Sequence, residues 1–458
     1  MPESSVFFSA AQHMKDALGP ARCYAKWKQV SLHLTNGMTN SCYHPPLHKI
    51  PVELLANNPS ALHNTPYKKE QRKIMLKNER PSECQYCWNM EDLGHLSDRH
   101  YRSGEPWAQI DLNSLTGDED VIPSYVEVNF SNVCNLACSY CSPQFSSSWM
   151  EDAQRHGPFP TSSPHNDPAF FSGSRRPIPV REHNPYLDAF WKWWPSLYPK
   201  LRHFRMTGGE PLLDKNTYKV FDYILAAPHP ELHIDVTSNF SVPNEILMNY
   251  INYVKKLCNT NIEHFMQYVS LDTGDWEQAQ YIRRGLHPTQ FMAAVNTYLL
   301  EVPERSSLTF IITLNNLSVV GLDQLLDYIL DLRSRFSKYY QRVWFDTPVL
   351  RNPRWQSLQI LPASYQRRME QHIEFMRQNR MDDNGWVGFK DYEIQRMERA
   401  LAWMKEPQDE NEIKVARADF YKFFSEYNKR LDVPVGHFVE VFRQMESFWL
   451  ECESNARQ

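Results

Sequence analysis

Glycine is scarce in this chain. Its 458 residues include 15 Gly against 31 Pro and 13 Trp. That balance excludes long Gly-rich linkers and low-complexity tracts, and it points to aromatic packing with many rigid loops. No apolar run approaches the roughly 18 residues of a membrane-spanning helix. Met1–Gly19 has no continuous apolar stretch of the secretory kind. No excess of one charge exists either: 49 Lys and Arg face 54 Asp and Glu, a net charge of −5. Bulk attraction to nucleic acid is therefore not expected, nor is a membrane partner. With 42% hydrophobic and 22% charged residues, the composition is that of a globular protein, long enough for two or three domains.

What is present is cysteine in groups. Seven of the nine cysteines fall at metal-like spacings. That usage fits a reducing compartment, so a cytoplasmic protein is expected. The densest group is Cys134-Asn135-Leu136-Ala137-Cys138-Ser139-Tyr140-Cys141, a C-x3-C-x2-C pattern directly after the apolar run Tyr125–Phe130. Three thiolates this close can hold an iron–sulfur cube but not complete it, because a [4Fe–4S] cluster normally takes four cysteines. An open coordination position marks a catalytic metal site rather than a structural one. A zinc ion completed by a remote His is the competing reading. Downstream, Thr207-Gly208-Gly209-Glu210-Pro211 follows a second apolar segment, Leu201–Met206. Two glycines after a strand let the backbone approach a ligand closely, and Glu210 offers acceptors to a cationic group. By itself such a string also reads as an ordinary turn.

Together, the cysteine triad (with Tyr140 before its third member) and the G-G-E-P turn resemble the radical S-adenosylmethionine (SAM) superfamily. The resemblance covers roughly residues 124–362. It implies that Cys134, Cys138 and Cys141 bind a [4Fe–4S] cluster, whose fourth iron the amine and carboxylate of SAM chelate. Gly208, Gly209, Glu210 and Pro211 would contact the SAM amine, with Tyr140 counted among the cofactor-binding residues. The strand ends Thr237-Ser238-Asn239 and Ser270-Leu271-Asp272 would meet the ribose and methionyl part. Arg283, with Arg284 as its near rival, would fork onto the SAM carboxylate. Read without the resemblance, these are strand-end caps and surface arginines.

Residues 1–105 hold Cys23, Cys42, Cys84 and Cys87. Cys84-Gln85-Tyr86-Cys87 is a C-x2-C knuckle, and Gly37–Cys42 reads as a hairpin turn after the alternating strand Val30–Leu34. The spacing C-x18-C-x41-C-x2-C, with G-x4-C at the second cysteine, resembles the twitch module, a shortened SPASM domain. The resemblance implies one auxiliary [4Fe–4S] cluster on these four cysteines. The order departs from the family, in which the module follows the SAM-binding barrel. A zinc ribbon is the rival, since C-x2-C pairs bind zinc equally well. His44 and His48 are spare donors better read as surface residues. The Lys- and Arg-rich stretch Pro66–Arg80 reads as a solvated helix.

From about Val121, strands alternate with helices, which implies βαβ units and a parallel sheet. Strands are expected at Leu232–Asn239, Phe265–Asp272, Thr309–Leu314 and Val343–Thr347, besides those before the cysteine loop and the G-G-E-P turn. Candidate contacts fall at strand carboxyl ends, where such sheets bind ligands. The fold expected is α/β; the resemblances imply a small N-terminal iron–sulfur domain (1–105) and a partial six-stranded TIM-like barrel (121–362), followed by a helical C-terminal region (363–458). Gly157–Pro185, rich in proline, reads as an irregular insertion, either surface loop or lid. Cys258 and Cys452 are isolated and structural.

The function expected is an enzyme that cleaves SAM reductively to a 5′-deoxyadenosyl radical, which then abstracts hydrogen from substrate. An auxiliary cluster would accept an electron or bind substrate. A peptide or protein side chain is the favoured substrate and a small molecule the alternative, with an electron donor of the flavodoxin or ferredoxin kind. No catalytic acid or base can be picked from the sequence. The opposing reading is a non-catalytic iron–sulfur or zinc protein. It explains the N-terminal cysteines but neither the missing fourth ligand at Cys134–Cys141 nor the G-G-E-P turn.

Overall fold

The computed structural model describes residues 3–163, 165–167, 173–260, 262–382 and 385–457. Side chains are described from residue 9 onward, residue 174 excepted. The chain forms two units. The first comprises Met1–Asn132, Arg176–Val236 and Thr260–Phe265. The second comprises Val133–Arg175, Thr237–Asn259 and Met266–Gln458. Eleven strands follow the chain among the described residues: β1 Gln29–His33, β2 Met38–Asn40, β3 His48–Lys49, β4 Tyr125–Asn129, β5 Ala137–Cys138, β6 His203–Thr207, β7 His233–Ser238, β8 His264–Ser270, β9 Arg283–Arg284, β10 Ser306–Ile311 and β11 Val343–Asp346.

In the first unit the strands run in the order β7-β6-β4-β1-β2-β3. Pairing is parallel from β7 to β1 and antiparallel through the hairpin β1-β2-β3. The hairpin expected around Gly37 is present. Its first strand does more than deliver Cys42, because β1 pairs in parallel along the whole of β4, from Gln29 opposite Tyr125 to His33 opposite Asn129. One face of these strands is apolar and fully buried: Val126, Val128, Phe204, Met206, Ile234 and Val236. The helix Pro185–Leu197 packs aromatics there, with the rings of Trp194 and Phe204 centred 5.0 Å apart. Its start is fixed by Asn184, whose side chain accepts from the amides of Tyr186 and Leu187.

Pro66–Leu76 is a helix, capped by Thr65, whose hydroxyl accepts from the Lys68 amide at 3.2 Å. It is not the solvated helix its charge suggested. Lys68, Arg72 and Met75 are buried at 0%, 0% and 1% exposure. They fall at i, i+4 and i+7, one face of a helix. Lys68 donates to the Thr39 hydroxyl and the Asn40 carbonyl of β2. Arg72 donates to the Lys26 carbonyl and the Asn64 side chain.

In the second unit the strand order is β8-β10-β11, with β10 and β11 parallel. The C-terminal region is helical, as its periodicity implied. Glu410–Arg430 starts at Asp409, whose carboxylate accepts from the amides of Asn411 and Glu412, and it buries Phe420, Phe423, Phe424 and Tyr427. The aromatic run Phe438–Trp449 is two helices rather than one, His437–Val441 and Glu446–Arg457, separated at Phe442 by a non-helical backbone. Residues 164 and 168–172 of the expected insertion lie outside the described residues.

One buried ion pair ties this unit together. Arg333 and Glu393 are both fully buried, with guanidinium–carboxylate contacts of 2.6 and 3.2 Å. Arg333 also donates to the carbonyls of Val343 and Gly388. Arg333→Met leaves the Glu393 carboxylate buried without its cation. The expected cost is about 3–5 kcal/mol, read as a fall in the urea midpoint.

Candidate functional site

Within the second unit, the loop Cys134–Cys141 is held by its own short sheet. β5 pairs antiparallel with β9, placing Cys138 opposite Arg283 and Ala137 opposite Arg284. Gly285 follows with φ +100°. A Cβ there would lie 2.9 Å from both the Asn135 carbonyl and the Leu136 side chain, so only glycine lets β9 sit this close. The hydroxyls of Ser147 and Ser148 donate to the Cys134 carbonyl at 3.1 and 2.8 Å. The Trp149 indole donates to the Cys138 carbonyl at 2.8 Å. Ser139 exchanges two hydrogen bonds with Gln356, and Asn135 is gripped by Asn239 and by the Ser241 carbonyl.

Arg283, 5% exposed, joins three other residues singled out in the sequence, Asp272, Tyr140 and Cys138. Its Nε lies 2.9 Å from one oxygen of Asp272, and its Nη2 donates to the other at 3.1 Å and to the Tyr140 hydroxyl at 2.6 Å. Its Nη1 donates to the Cys138 sulfur at 3.6 Å. The Tyr140 hydroxyl in turn donates to Asp272 at 2.9 Å, and the Thr313 amide donates to the same carboxylate at 3.0 Å. Arg284 points elsewhere, to Asp152 at 2.9 Å. Burial pushes the Cys141 thiol up to about 12. It also raises Cys138, against the opposing pull of Arg283. Burial thus biases both thiols toward the protonated form, and a metal would displace their protons. The donor set fits a thiolate-bound cluster: N–H groups of Leu136 and Arg283 already point at the sulfurs of Cys134 and Cys138. Ser270 ends β8, half-buried, and Ser238 ends β7, buried, its hydroxyl accepting from the Phe240 amide.

The G-G-E-P turn belongs to the first unit. Gly208 has φ +115°, and a Cβ there would lie 2.2 Å from Oδ1 of Asn129, the last residue of β4. The Gly209 amide donates to the Ser131 carbonyl at 3.2 Å. Glu210, 1% exposed, caps the following turn by accepting from the Leu212 amide. Asn129 is 3% exposed, yet both polar atoms of its side chain lack a hydrogen-bond partner. An orphaned amide beside a glycine turn is the kind of vacancy a polar ligand satisfies.

β4, β6 and β7 also carry a polar face, which the apolar runs in the sequence concealed. Register aligns Ser31, Glu127, Arg205 and Asp235 in one row. Below them, Tyr125, His203 and His233 form another, the two imidazoles stacked 4.5 Å apart. Period-two alternation around Val126, Val128, Phe204 and Met206 was the signal that could have found them. Burial pushes Asp235 up to about 6, with Glu127 adding to the rise and Arg205 opposing it.

Cys23, Cys42, Cys84 and Cys87 also lie in the first unit and line one pocket, together with Lys26, Arg99 and Arg102. Burial raises the thiols of Cys42, Cys84 and Cys87. His44 stacks on Tyr86 and pairs with Asp98 at 2.6 Å, while His48 bonds Thr65. Each imidazole thus has a partner on its Nε2. Lys26 and Arg99 lay outside the metal motif and were not anticipated. Among the described residues, no three His, Cys, Asp or Glu side chains converge on a single ion position. A cube does not require such convergence, because each of its irons takes its own thiolate.

Two expectations follow. Gly208→Ala puts a Cβ into Asn129 in a left-handed conformation and is expected to cost about 1–3 kcal/mol, visible in thermal unfolding. Asp235 has a folded-state value near 6, above its ordinary 3.8. Its contribution is therefore intact below pH 4 and is lost as pH rises through about 6, a penalty of about 3 kcal/mol. Asp235→Asn should accordingly raise Tm relative to the parent at pH 8 and not at pH 4.

Residues 128–329 match the model of the Radical SAM superfamily, while among curated proteins none matches the chain. The stretch that holds the C-x3-C-x2-C loop, the G-G-E-P turn and the Arg283–Asp272 pair is thus a radical SAM domain, of a superfamily of enzymes that use a [4Fe–4S] cluster and SAM.

Proposed function

We propose that this chain is a radical SAM enzyme acting on a peptide or protein side chain, with Cys134, Cys138 and Cys141 holding the SAM-binding [4Fe–4S] cluster. The observation that carries the reading is the loop itself: three thiols, N–H donors aimed at two of the sulfurs, and no fourth cysteine in the motif. When bound, the cluster supplies the electron that cleaves SAM and so generates a radical able to take hydrogen from an unactivated C–H bond.

The protein's own part is positioning and exclusion of water. The β5–β9 pairing holds Cys138 beside the cation of Arg283, which favours thiolate over thiol. Asp272 is buried at 1% exposure and engages Arg283, Tyr140 and the Thr313 amide at once, so the side chains around the loop have little freedom. Gly208 and Gly209 open backbone for the methionyl end of SAM, and Glu210 offers its amine a carboxylate. Ser238, Asn239, Ser270 and Asp272 remain the proposed contacts to the rest of SAM. The strands β4, β6, β7, β8, β10 and β11 are read as the six of a partial barrel.

The second part of the proposal is an auxiliary [4Fe–4S] cluster on Cys23, Cys42, Cys84 and Cys87, the twitch-like site. Four cysteines lining one cation-rich pocket support it. A cluster with four thiolates is anionic, which suits a pocket lined by cations. Its role would be to take an electron from the substrate radical, making the net reaction an oxidation or cross-link, or to bind substrate directly. No helix among the described residues is long and apolar enough to cross a membrane. A cytoplasmic setting with a flavodoxin- or ferredoxin-like donor completes the reading.

Anaerobic reconstitution tests both parts. About eight irons per chain are expected, falling to about four in Cys134→Ala/Cys138→Ala/Cys141→Ala, with 5′-deoxyadenosine formed by the reduced parent and not by the variant. About four irons in the parent, all lost in the variant, would remove the auxiliary cluster. Absence of 5′-deoxyadenosine from iron-replete, reduced protein would overturn the enzyme.

A further inference from the structure

The four-cysteine pocket holds a charge arrangement that its ligand motif does not explain. Lys26, three residues after Cys23, is 3% exposed. A lysine this deeply buried needs a reason, because moving an ammonium out of water costs several kcal/mol unless it is paired. Lys26 has two partners. One is the carboxylate of Glu83, itself 5% exposed at the side chain, in direct contact. The other is the thiol of Cys84, next to Glu83 and lining the same pocket, whose ionised form the ammonium favours. Glu83 immediately precedes Cys84, so one residue of the pair lies beside a candidate ligand in sequence and the other lines the pocket with it.

The other pocket cations are committed differently. Arg99 is held by Glu91 at 2.9 and 2.6 Å. Arg102 sits over the rings of Tyr43 and Tyr125. Among the three cations lining the pocket, Lys26 is the one whose charge acts on the thiols of both Cys42 and Cys84.

We propose that the Lys26–Glu83 ion pair sets the reduction potential of the cluster held by Cys23, Cys42, Cys84 and Cys87. The proposal rests on the auxiliary-cluster reading and deepens it. Reduction adds one electron, and so one negative charge, to a group that is already anionic. Net charge and hydrogen bonds to sulfur are the protein's main levers on that step. A buried ammonium beside the ligand sulfurs stabilises the reduced form and raises the potential. A carboxylate buried next to the same ligand destabilises it and lowers the potential. The two members of the pair therefore act with opposite sign, which a purely structural pair does not do.

The test is a potentiometric titration followed by electron paramagnetic resonance. It uses the full chain carrying Cys134→Ala/Cys138→Ala/Cys141→Ala, so that one cluster is read. Lys26→Met should lower the potential and Glu83→Gln should raise it. Each shift should correspond to about a tenfold change in the reduction equilibrium, about 59 mV for one electron. Lys26→Arg, which keeps the charge, should stay near the parent. Loss of the iron in Lys26→Met but not in Lys26→Arg would support the same charge role, now in binding. Loss in both would overturn it in favour of packing. About four irons in every variant with unmoved potentials would overturn the inference and leave the auxiliary cluster standing. A triple variant that holds no iron at all would overturn the auxiliary reading itself, and the inference with it.

Discussion

The contact between Arg283 and Asp272 is the interaction on which the cysteine loop depends. A carboxylate at 1% exposure is tolerable only when its charge is met and its lone pairs are filled. Arg283, Tyr140 and the Thr313 amide do this together. The consequence is geometric. Arg283 belongs to β9, β9 pairs with β5, and β5 carries Cys138. Satisfying Asp272 therefore also sets where the Cys138 sulfur sits. The same guanidinium has an N–H left for that sulfur, so one side chain serves both the electrostatics of the unit and the chemistry of the motif.

The first unit solves a related problem with the opposite charge. Lys26, Lys68 and Arg72 are buried around the N-terminal hairpin. Lys68 and Arg72 spend their donors on carbonyls, a hydroxyl and side-chain groups. Burial pushes Lys68 down, and neighbouring cations push it further. Such a site favours an anionic occupant, and metal bound by four thiolates is anionic. Of these cations only Lys26 lines the pocket of the four cysteines, and none of the three forms a recognisable pattern in the sequence.

The two glycine positions at the sites show how backbone chemistry is spent. Gly208 and Gly285 both have positive φ, and each faces another segment too closely for a Cβ. One lets the turn after β6 lie against the end of β4, and the other lets β9 lie against the cysteine loop. In a chain with so few glycines, placing two of them at these points leaves the rest of the structure to proline and aromatic packing. The helix Pro185–Leu197 and the Phe420–Tyr427 face are examples.

Much of this was readable in the sequence because it is local. Cysteine spacing, the glycine turn, the strands before them and the C-terminal helices all depend on residues within about ten positions of each other. Short-range chemistry and periodicity report such features directly. The match over residues 128–329 agrees with the part of the chain where those motifs lie. What the sequence did not disclose is pairing across distance. Nothing in Val30–Leu34 states that β1 will lie parallel to β4, since parallel neighbours share no turn. Lys68 and Arg72 read as solvated because charge is normally exposed; their burial follows from the β2 backbone and Asn64 that receive them. Arg283 and Asp272 were both selected, but as separate contacts to a cofactor. That they hold each other is a decision of tertiary structure, because an ion pair is set by the low-dielectric space between two groups, and no motif encodes that space.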